Sequence, residues 1–265
     1  MKVSVIVPAF NEEKRIEDIL YFALSQSYYD FEVIIVDNNS TDSTRKKAID
    51  FLLNHEPKNV VRYNDQFICD IGRIKFRFVT EYKRGTNYAR EKGRKIATGD
   101  ILAFVDADCR PSTDWVENGV ELLRKPNMAA ASGAYYFYDD KPIRRFLSLY
   151  TQQILYIPIS FILQLFKKGA IMNGGNMFID ARAFDLLRGF NTEFSFYGDD
   201  VDTAIRLSRL GKVPFSPSIT MPTSSRRFKE LGFSKTNKKN TSTFLKMVFG
   251  KSLSENERQE TLHPR

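Results

Sequence analysis

The chain has 265 residues, enough for one large α/β domain or one domain with a short appendage. Its 42% hydrophobic and 13% aromatic content excludes wholesale disorder, and two isolated cysteines and two isolated histidines give no basis for a disulfide framework, a zinc site or a Ser-His-Asp triad. The net charge of +8 points to an anionic ligand or surface, and it is concentrated late, with eight Lys/Arg against one acid, Glu230, between Arg226 and Lys251.

Residues 3–8 form a short apolar run that reads as a strand, with no secretory leader expected ahead of it. Residues 12–25 carry a helical stripe, Ile16, Ile19, Leu20 and Ala23. Residues 31–37 (FEVIIVD) are a continuous apolar run of the kind buried on both faces, and a helix over 43–53 follows. A third strand is expected at 76–81, a helix at 87–97 and a fourth strand at 101–106. Strands separated by helices predict an α/β fold built on a Rossmann-like, mostly parallel sheet flanked by helices. Ligands of such sheets lie beyond the carboxyl ends of the strands. The second half is less regular, with strands expected at 128–136 and 173–179, a helix at 199–210 closing at Gly211, and a polar tail over 254–265.

Residues 146–166 (FLSLYTQQILYIPISFILQLF) hold no charge and are flanked by Arg144, Arg145, Lys167 and Lys168. The length suits a membrane span. Gln152, Gln153, Gln164 and Pro158 argue against one, as does the need for site residues from both sides of the segment. The reading adopted is an amphipathic helical insertion over about 143–168, bent near Pro158, lying on a membrane face or a partner. The domain limits expected are 1–225 for the main domain and 226–265 for a basic extension.

Four clusters carry chemistry. Pro8-Ala9-Phe10-Asn11-Glu12 ends the first strand and opens a helix, with Asn11 a candidate N-cap. Asp37-Asn38-Asn39 ends the second, and Ser40-Thr41-Asp42 reads as a turn and helix start. Asp106-Ala107-Asp108 ends the fourth strand, where two carboxylates on one face are costly unless a cation neutralises them. Hard divalent ions bridge such carboxylates to phosphates, so Mg²⁺ or Mn²⁺ is the expected cofactor. Phe196-Tyr197-Gly198-Asp199-Asp200 begins a helix, and its acids either complement the helix dipole or deprotonate an alcohol.

Together these pieces resemble glycosyltransferase family 2, with its GT-A fold. The likeness runs from about Val3 to Gly211 through VSVIVPAFNEE, VIIVDNNSTDST, RGTNYAREKGRKIATGDILAFVDADCRP, NGGNMFI and GFNTEFSFYGDDVDTAIRLSRLG, in the family's order. The resemblance implies an inverting, metal-dependent transfer from a nucleoside-diphosphate sugar, UDP being the expected nucleotide, to an acceptor hydroxyl. It implies that Pro8, Phe10 and Glu12 line the nucleotide pocket and that Asp37 and Asn39 contact the nucleoside. Arg84 and Arg90 would sit near ribose or diphosphate, Asp106 would face ribose and metal, and Asp108 would ligate the metal. Gly174 and Gly175 would admit the donor sugar, Asp200 would be the base with Asp199 its acidic neighbour, and Arg226 would clamp phosphate. The chain departs from the family pattern in Asp37-Asn38-Asn39, in Asp199-Asp200 where Glu-Asp is frequent, and in lacking Gln-x-x-Arg-Trp. The last departure disfavours a processive synthase, and the single tryptophan, Trp115, is read as packing a helix.

Two competing readings remain. A nucleotidyltransferase would want a glycine-rich basic loop after the first strand, and PAFNEE has no glycine and two acids. A non-catalytic module docking on anionic lipid fits the basic C-terminal stretch and the apolar segment, but leaves the four acids without a purpose. Those acids also exclude nucleic acid as a partner. The partners expected are therefore the donor, a hydroxyl acceptor of lipid-linked or polysaccharide-precursor type, an anionic membrane surface and a second copy of the chain. The location expected is cytoplasmic, at the cytoplasmic face of a membrane.

Overall fold

The computed structural model describes residues 1–166, 168–194, 198–250 and 253–255. Lys167, Phe196, Tyr197 and most of the polar tail expected over 254–265 lie outside the described residues. The order is β1 (Val3–Ala9), α1 (Ile16–Leu24), β2 (Phe31–Asp37), α2 (Thr44–Leu53), β3 (Lys58–Arg62), β4 (Gln66–Ile71), β5 (Ile74–Thr80), α3 (Thr86–Ile96), β6 (Ile101–Val105) and α4 (Trp115–Leu123). There follow β7 (Ala130–Ser132), β8 (Tyr135–Phe137), α5 (Pro142–Thr151), a π-helical turn (Gln152–Tyr156), α6 (Ile157–Leu165), β9 (Asn176–Asp180), α7 (Ala181–Leu186), α8 (Asp199–Leu207), β10 (Met221–Thr223), α9 (Arg226–Leu231) and α10 (Phe233–Val248).

Every residue of β1 and β2 is buried, as continuous apolar runs require. Alternation sends Val3, Val5, Val7, Val33 and Ile35 to one face, under α1, α2 and α4. Ile6, Ile34 and Val36 face the other way, against Ala89 of α3, Phe184 of α7 and Leu207 of α8. The stripe Ile16, Ile19, Leu20 and Ala23 is the buried face of α1, as its spacing predicts.

The main sheet runs β3-β4-β5-β2-β1-β6-β9-β7. It is mixed, which corrects the mostly parallel sheet expected. Among the described residues only the central pairings β5–β2, β2–β1 and β1–β6 are parallel, while β3–β4, β4–β5, β6–β9 and β7–β9 are antiparallel. The parallel reading missed two features. One is the β4–β5 hairpin, turned by Gly72 at φ 59 and pairing Ile71 with Ile74. The other is β9, which returns beside β6 only after the long α5–α6 excursion. The exposed β3 carries no apolar alternation to announce it. Expected strand 128–136 is two short strands, and β8 pairs with β10 in a second sheet.

α5, the π turn and α6 run on as one 24-residue helix, Pro142–Leu165. The irregularity expected at Pro158 lies just ahead of it, at Gln152–Tyr156, because an extra residue in the turn accommodates the missing proline N–H.

Trp115 is fully buried, packs at a tilt against Phe178 with ring centroids 4.5 Å apart, and donates its indole N–H to Asn176 at 3.0 Å. Trp115→Ala is expected to lower the unfolding free energy by roughly 3–5 kcal/mol in urea titration.

Candidate active site

The chain places β2 on one side of β1 and β6 on the other, so β1 and β6 flank the topological switch point. β1 pairs with β2 as far as Ala9 opposite Asp37, but with β6 only as far as Ile6 opposite Phe104. The strands therefore part beyond Ile6, and Pro8, which has no N–H to offer, sits where the β6 ladder has ended. A crevice opens there, between the carboxyl ends that carry Phe10 and Glu12 on one wall and Asp106 on the other.

The loops after β1 and β2 are tied together. Asn11 takes a left-handed conformation at φ 53. Its N–H donates to Ser40 Oγ at 3.0 Å, and its side-chain oxygen accepts from Thr41 N at 2.9 Å. It does not cap α1, which corrects the N-cap expected of it. Asp42 does what a helix start requires, accepting from Thr44 N at 2.9 Å. Asp37 is buried at the base of this turn; burial raises its pKa, against the Ser40 N–H that it accepts at 3.2 Å.

Asn38 accounts for the departure from Asp-Asp. Its amide donates to Glu81 O at 3.1 Å and Lys83 O at 2.8 Å, while its oxygen accepts from Gly85 N at 2.7 Å. An aspartate could keep only the last of these. Asn38 thus holds the 81–85 loop against β2 and with it Arg84, whose guanidinium lies 4.7 Å from the Phe10 ring centroid. Asn39 is exposed at φ 61, and the buried position belongs to Asn38.

The centre of the site is Arg90. Its guanidinium, buried on α3, donates Nη1 to Asp199 Oδ2 at 2.7 Å and Nη2 to Asp106 Oδ1 at 3.1 Å. One cation therefore joins the end of β6 to the start of α8. The turn before β9 comes so close that a Cβ on Gly174 would lie 2.9 Å from Arg90 Nη1, and one on Gly175 would collide with the Asp106 carboxylate. Asn173 and Asn176 brace this turn through Gly133 O and Ile219 O, each at 2.7 Å. Tyr135 of β8 faces the same point, and burial, with the nearby Asp106 charge, pushes its phenol well above the ordinary value.

Asp199 is engaged with Arg90; Asp200 is partly exposed and accepts from Val201 N at 2.8 Å. Burial and the neighbouring Asp199 charge push the Asp200 carboxyl up to about 7. Behind them, a Cβ on Gly198 (φ 84) would meet Met247 Sδ of α10 at 2.8 Å, so the C-terminal helix backs the acid-bearing turn. Arg226 reaches in from α9 and pairs with Glu12 Oε1 at 2.7 Å, while its neighbour Arg227 acts electrostatically on Asp200. The basic stretch after residue 225 thus contributes to the site's wall.

Arg90, Asp106, Asp199, Gly174 and Gly175 form one contact group, Glu12 and Arg226 a second, and Phe10 and Arg84 a third, while Pro8 and Asp37 lie at the ends of β1 and β2 beside them. Asp108 lies close enough for its charge to act on Arg226 and Tyr135. Asn38, Tyr135 and Gln152, whose amide brackets Tyr135 by accepting from its N–H at 2.9 Å and donating to its carbonyl at 2.7 Å, escape sequence reading. Asn38 had a signal in its departure from pattern; the other two had none. Among the described residues no three His, Cys, Asp or Glu gather as a metal-binding group. Two partly exposed carboxylates at one strand end still fit Mg²⁺ or Mn²⁺, since such ions are held by one or two carboxylates with substrate phosphates and water completing the shell.

The fold is α/β, with a crevice at the switch point of its sheet, where ligands of such folds tend to bind. A model of glycosyl transferase family 2 matches residues 4–187, and the chain belongs to that family. Glycosyltransferase AglE of Haloferax volcanii is 31% identical over 137 residues, 51% of this chain and 40% of its own length. An Escherichia coli enzyme, the UDP-Glc:alpha-D-GlcNAc-diphosphoundecaprenol beta-1,3-glucosyltransferase WfgD, is 28% identical over 141 residues, 53% of this chain and 48% of its own length. The chain thus spans about half the length, or less, of these curated relatives. In structure it is similar to the mannosyltransferase PcManGT of Pyrobaculum calidifontis, solved with GDP-Man and Mn²⁺, with a TM-score of 0.71, 23% identity, and coverage of 97% of this chain and 67% of that one.

Asn38→Asp is expected to destabilise the chain by roughly 2–4 kcal/mol, since it sets a buried carboxylate against two carbonyls. Thermal unfolding checks this, and the 81–85 amides should lose hydrogen-exchange protection first.

Proposed function

We propose that this chain is the catalytic region of an inverting glycosyltransferase that moves a sugar from a nucleoside diphosphate to an acceptor hydroxyl. The observation that carries the reading is the bridge from Asp106 through Arg90 to Asp199, which sets the Asp200 carboxyl, not bonded to Arg90, beside a crevice at the switch point. Asp200 takes the acceptor's proton as its oxygen bonds to the anomeric carbon, and the bond from that carbon to the diphosphate oxygen breaks, its electron pair leaving with the phosphate. A carboxyl near 7 suits that task. Asp199 is a positioning residue, since its carboxylate is committed to Arg90.

Asp37 offers the nucleoside an acceptor, Phe10 and Arg84 flank it, and Gly174 and Gly175 leave room for the sugar. Mg²⁺ or Mn²⁺ held by Asp108, with Asp106 beside it, would neutralise the donor's diphosphate. Arg226 and Arg227 add fixed positive charge where the leaving group develops negative charge. The relatives' names support a UDP- or GDP-sugar as donor, with UDP expected, and the E. coli enzyme's undecaprenol-linked substrate supports a lipid-linked acceptor met at the cytoplasmic face of a membrane.

Calorimetric titration with UDP, GDP and dTDP, with and without Mn²⁺, is expected to show metal-dependent binding of one nucleotide that Asp108→Ala abolishes. Absence of binding under every condition would leave a non-catalytic lipid-docking module as the better reading.

The pH dependence follows from the sign of the Asp200 shift. A base works only when ionised, so kcat/KM is expected to rise with pH through about 7 and to fall below it. Asp200→Asn should lower kcat by about 10²- to 10⁴-fold while nucleotide binding persists. Because the Asp200 carboxyl is raised from its ordinary 3.8 to about 7 on folding, its contribution to stability falls as pH rises from about 4 to about 7 and stays at its lowest above that. The same variant should therefore melt higher than the parent at alkaline pH.

A further inference from the structure

The helix Pro142–Leu165 reverses the usual polarity of a surface helix. Three of its uncharged polar side chains, Gln152, Ser160 and Gln164, face the protein, while Thr151 and Arg144 stay exposed. Gln152 brackets Tyr135, Gln164 accepts from Val213 N at 2.6 Å, and Ser160 accepts from Ile171 N at 3.2 Å. The outward face is apolar, and Phe146, Leu147, Leu155, Phe161, Leu165 and Phe166 are all exposed. No residue of α5 and only Ser160 of α6 is buried. So large an exposed apolar face on a folded domain calls for a covering partner.

Charge decides what covers it. No acid occurs between Pro142 and Lys168; Lys141, Arg144, which pairs with Asp140 at 3.8 Å, and Arg145 stand at one end and Lys168 at the other, a net positive balance on the face itself. The Lys168 ammonium lies 5.8 Å from the Phe249 ring, which carries the patch on to exposed Leu245 and Phe249 at the end of the basic α10. A second copy packed through this face would set cations against cations whether the two helices ran parallel or antiparallel. A bilayer with anionic headgroups meets both the apolar stripe and its basic ends.

At about 36 Å the helix is long enough to cross a bilayer, but the site excludes crossing. Asp106 precedes the helix and Asp199 follows it, and Arg90 bonds to both. The two flanks therefore lie on one side. We infer that the helix Pro142–Leu165 lies flat in the headgroup boundary of an anionic bilayer, with its inner face turned to the crevice, so that a lipid-linked acceptor reaches Asp200 from the membrane side. The acceptor clause rests on the transferase reading; the docking does not. The inner face reaches the crevice through Gln152, which holds Tyr135, whose phenol oxygen would lie 2.7 Å from a Cβ on Gly175 beside Asp106.

The test is flotation of the full chain with vesicles of phosphatidylcholine alone or mixed with phosphatidylglycerol, beside the triple variant Phe146→Ser, Leu155→Ser, Phe161→Ser. The expected result is binding to the anionic vesicles that weakens with salt, falls by roughly 100-fold or more in the triple variant and is released by alkaline carbonate. Circular dichroism and Mn²⁺-dependent nucleotide binding should be the same in both proteins, which separates lost docking from lost folding and from a failed donor site. No binding to anionic vesicles, or equal binding by the triple variant, would overturn the docking. Retention through carbonate would overturn the flat orientation. A concentration-dependent dimer in sedimentation that the triple variant dissolves would assign the face to a second copy instead.

Discussion

A guanidinium removed from water has to be met by carboxylates, and Arg90 is met by two from distant parts of the chain. Asp106 ends β6 and Asp199 starts α8, and a single buried cation fixes the distance between them. Loss of either partner would leave an uncompensated buried charge, a penalty of roughly 3–5 kcal/mol. The rest of the site follows from that constraint. The turn before β9 must pass over the bridge, so positions 174 and 175 have no room for a side chain. Asp199 is bonded to Arg90 beside Asp200, and burial together with the like charge of Asp199 raises the neighbouring carboxyl. One interaction thus assembles the site and leaves one acid ready to accept a proton.

The bridge sits at the right place because of sheet topology. β1 is central, and its neighbours β2 and β6 were laid down in opposite directions along the sheet, so their loops diverge and a crevice is left between them. Asp106, Asp108, Asp199 and Asp200 make that crevice strongly acidic, with Arg90 alone buried among them. Arg226 and Arg227 bring positive charge in from the C-terminal stretch, which also braces the acid-bearing turn through Met247. The basic excess of the composition is therefore partly a component of the site.

Much of this was legible in sequence because it depends on local order. Continuous apolar runs followed by polar residues marked β1, β2 and β6 and their carboxyl ends, and those ends hold Glu12, Asp37 and Asp106. Pairing direction was not legible: β3 is wholly exposed and β9 is an ordinary buried strand, and neither states which neighbour it joins. Asn38 could be seen as a departure but not explained, since its three partners lie in a loop more than 40 positions on. Arg90 was placed near the donor through family resemblance, but nothing in its surroundings in sequence reveals a bond to Asp199 across 109 positions.

The glutamines of the apolar segment show the same limit from the other side. Averaged over 146–166, Gln152 and Gln164 lower the hydropathy and weaken a membrane reading. Their directions reverse that inference. Each turns inward to satisfy backbone groups of the domain, Tyr135 in one case and Val213 in the other. The polar atoms are thereby removed from the face that meets solvent, which becomes more apolar than the composition suggests. They also tie the helix to the domain at two points twelve residues apart. Because Gln152 holds the backbone of Tyr135, whose phenol oxygen comes up to Gly175 beside Asp106, the contact that orients the exposed face also fixes a side chain at the edge of the carboxylate bridge.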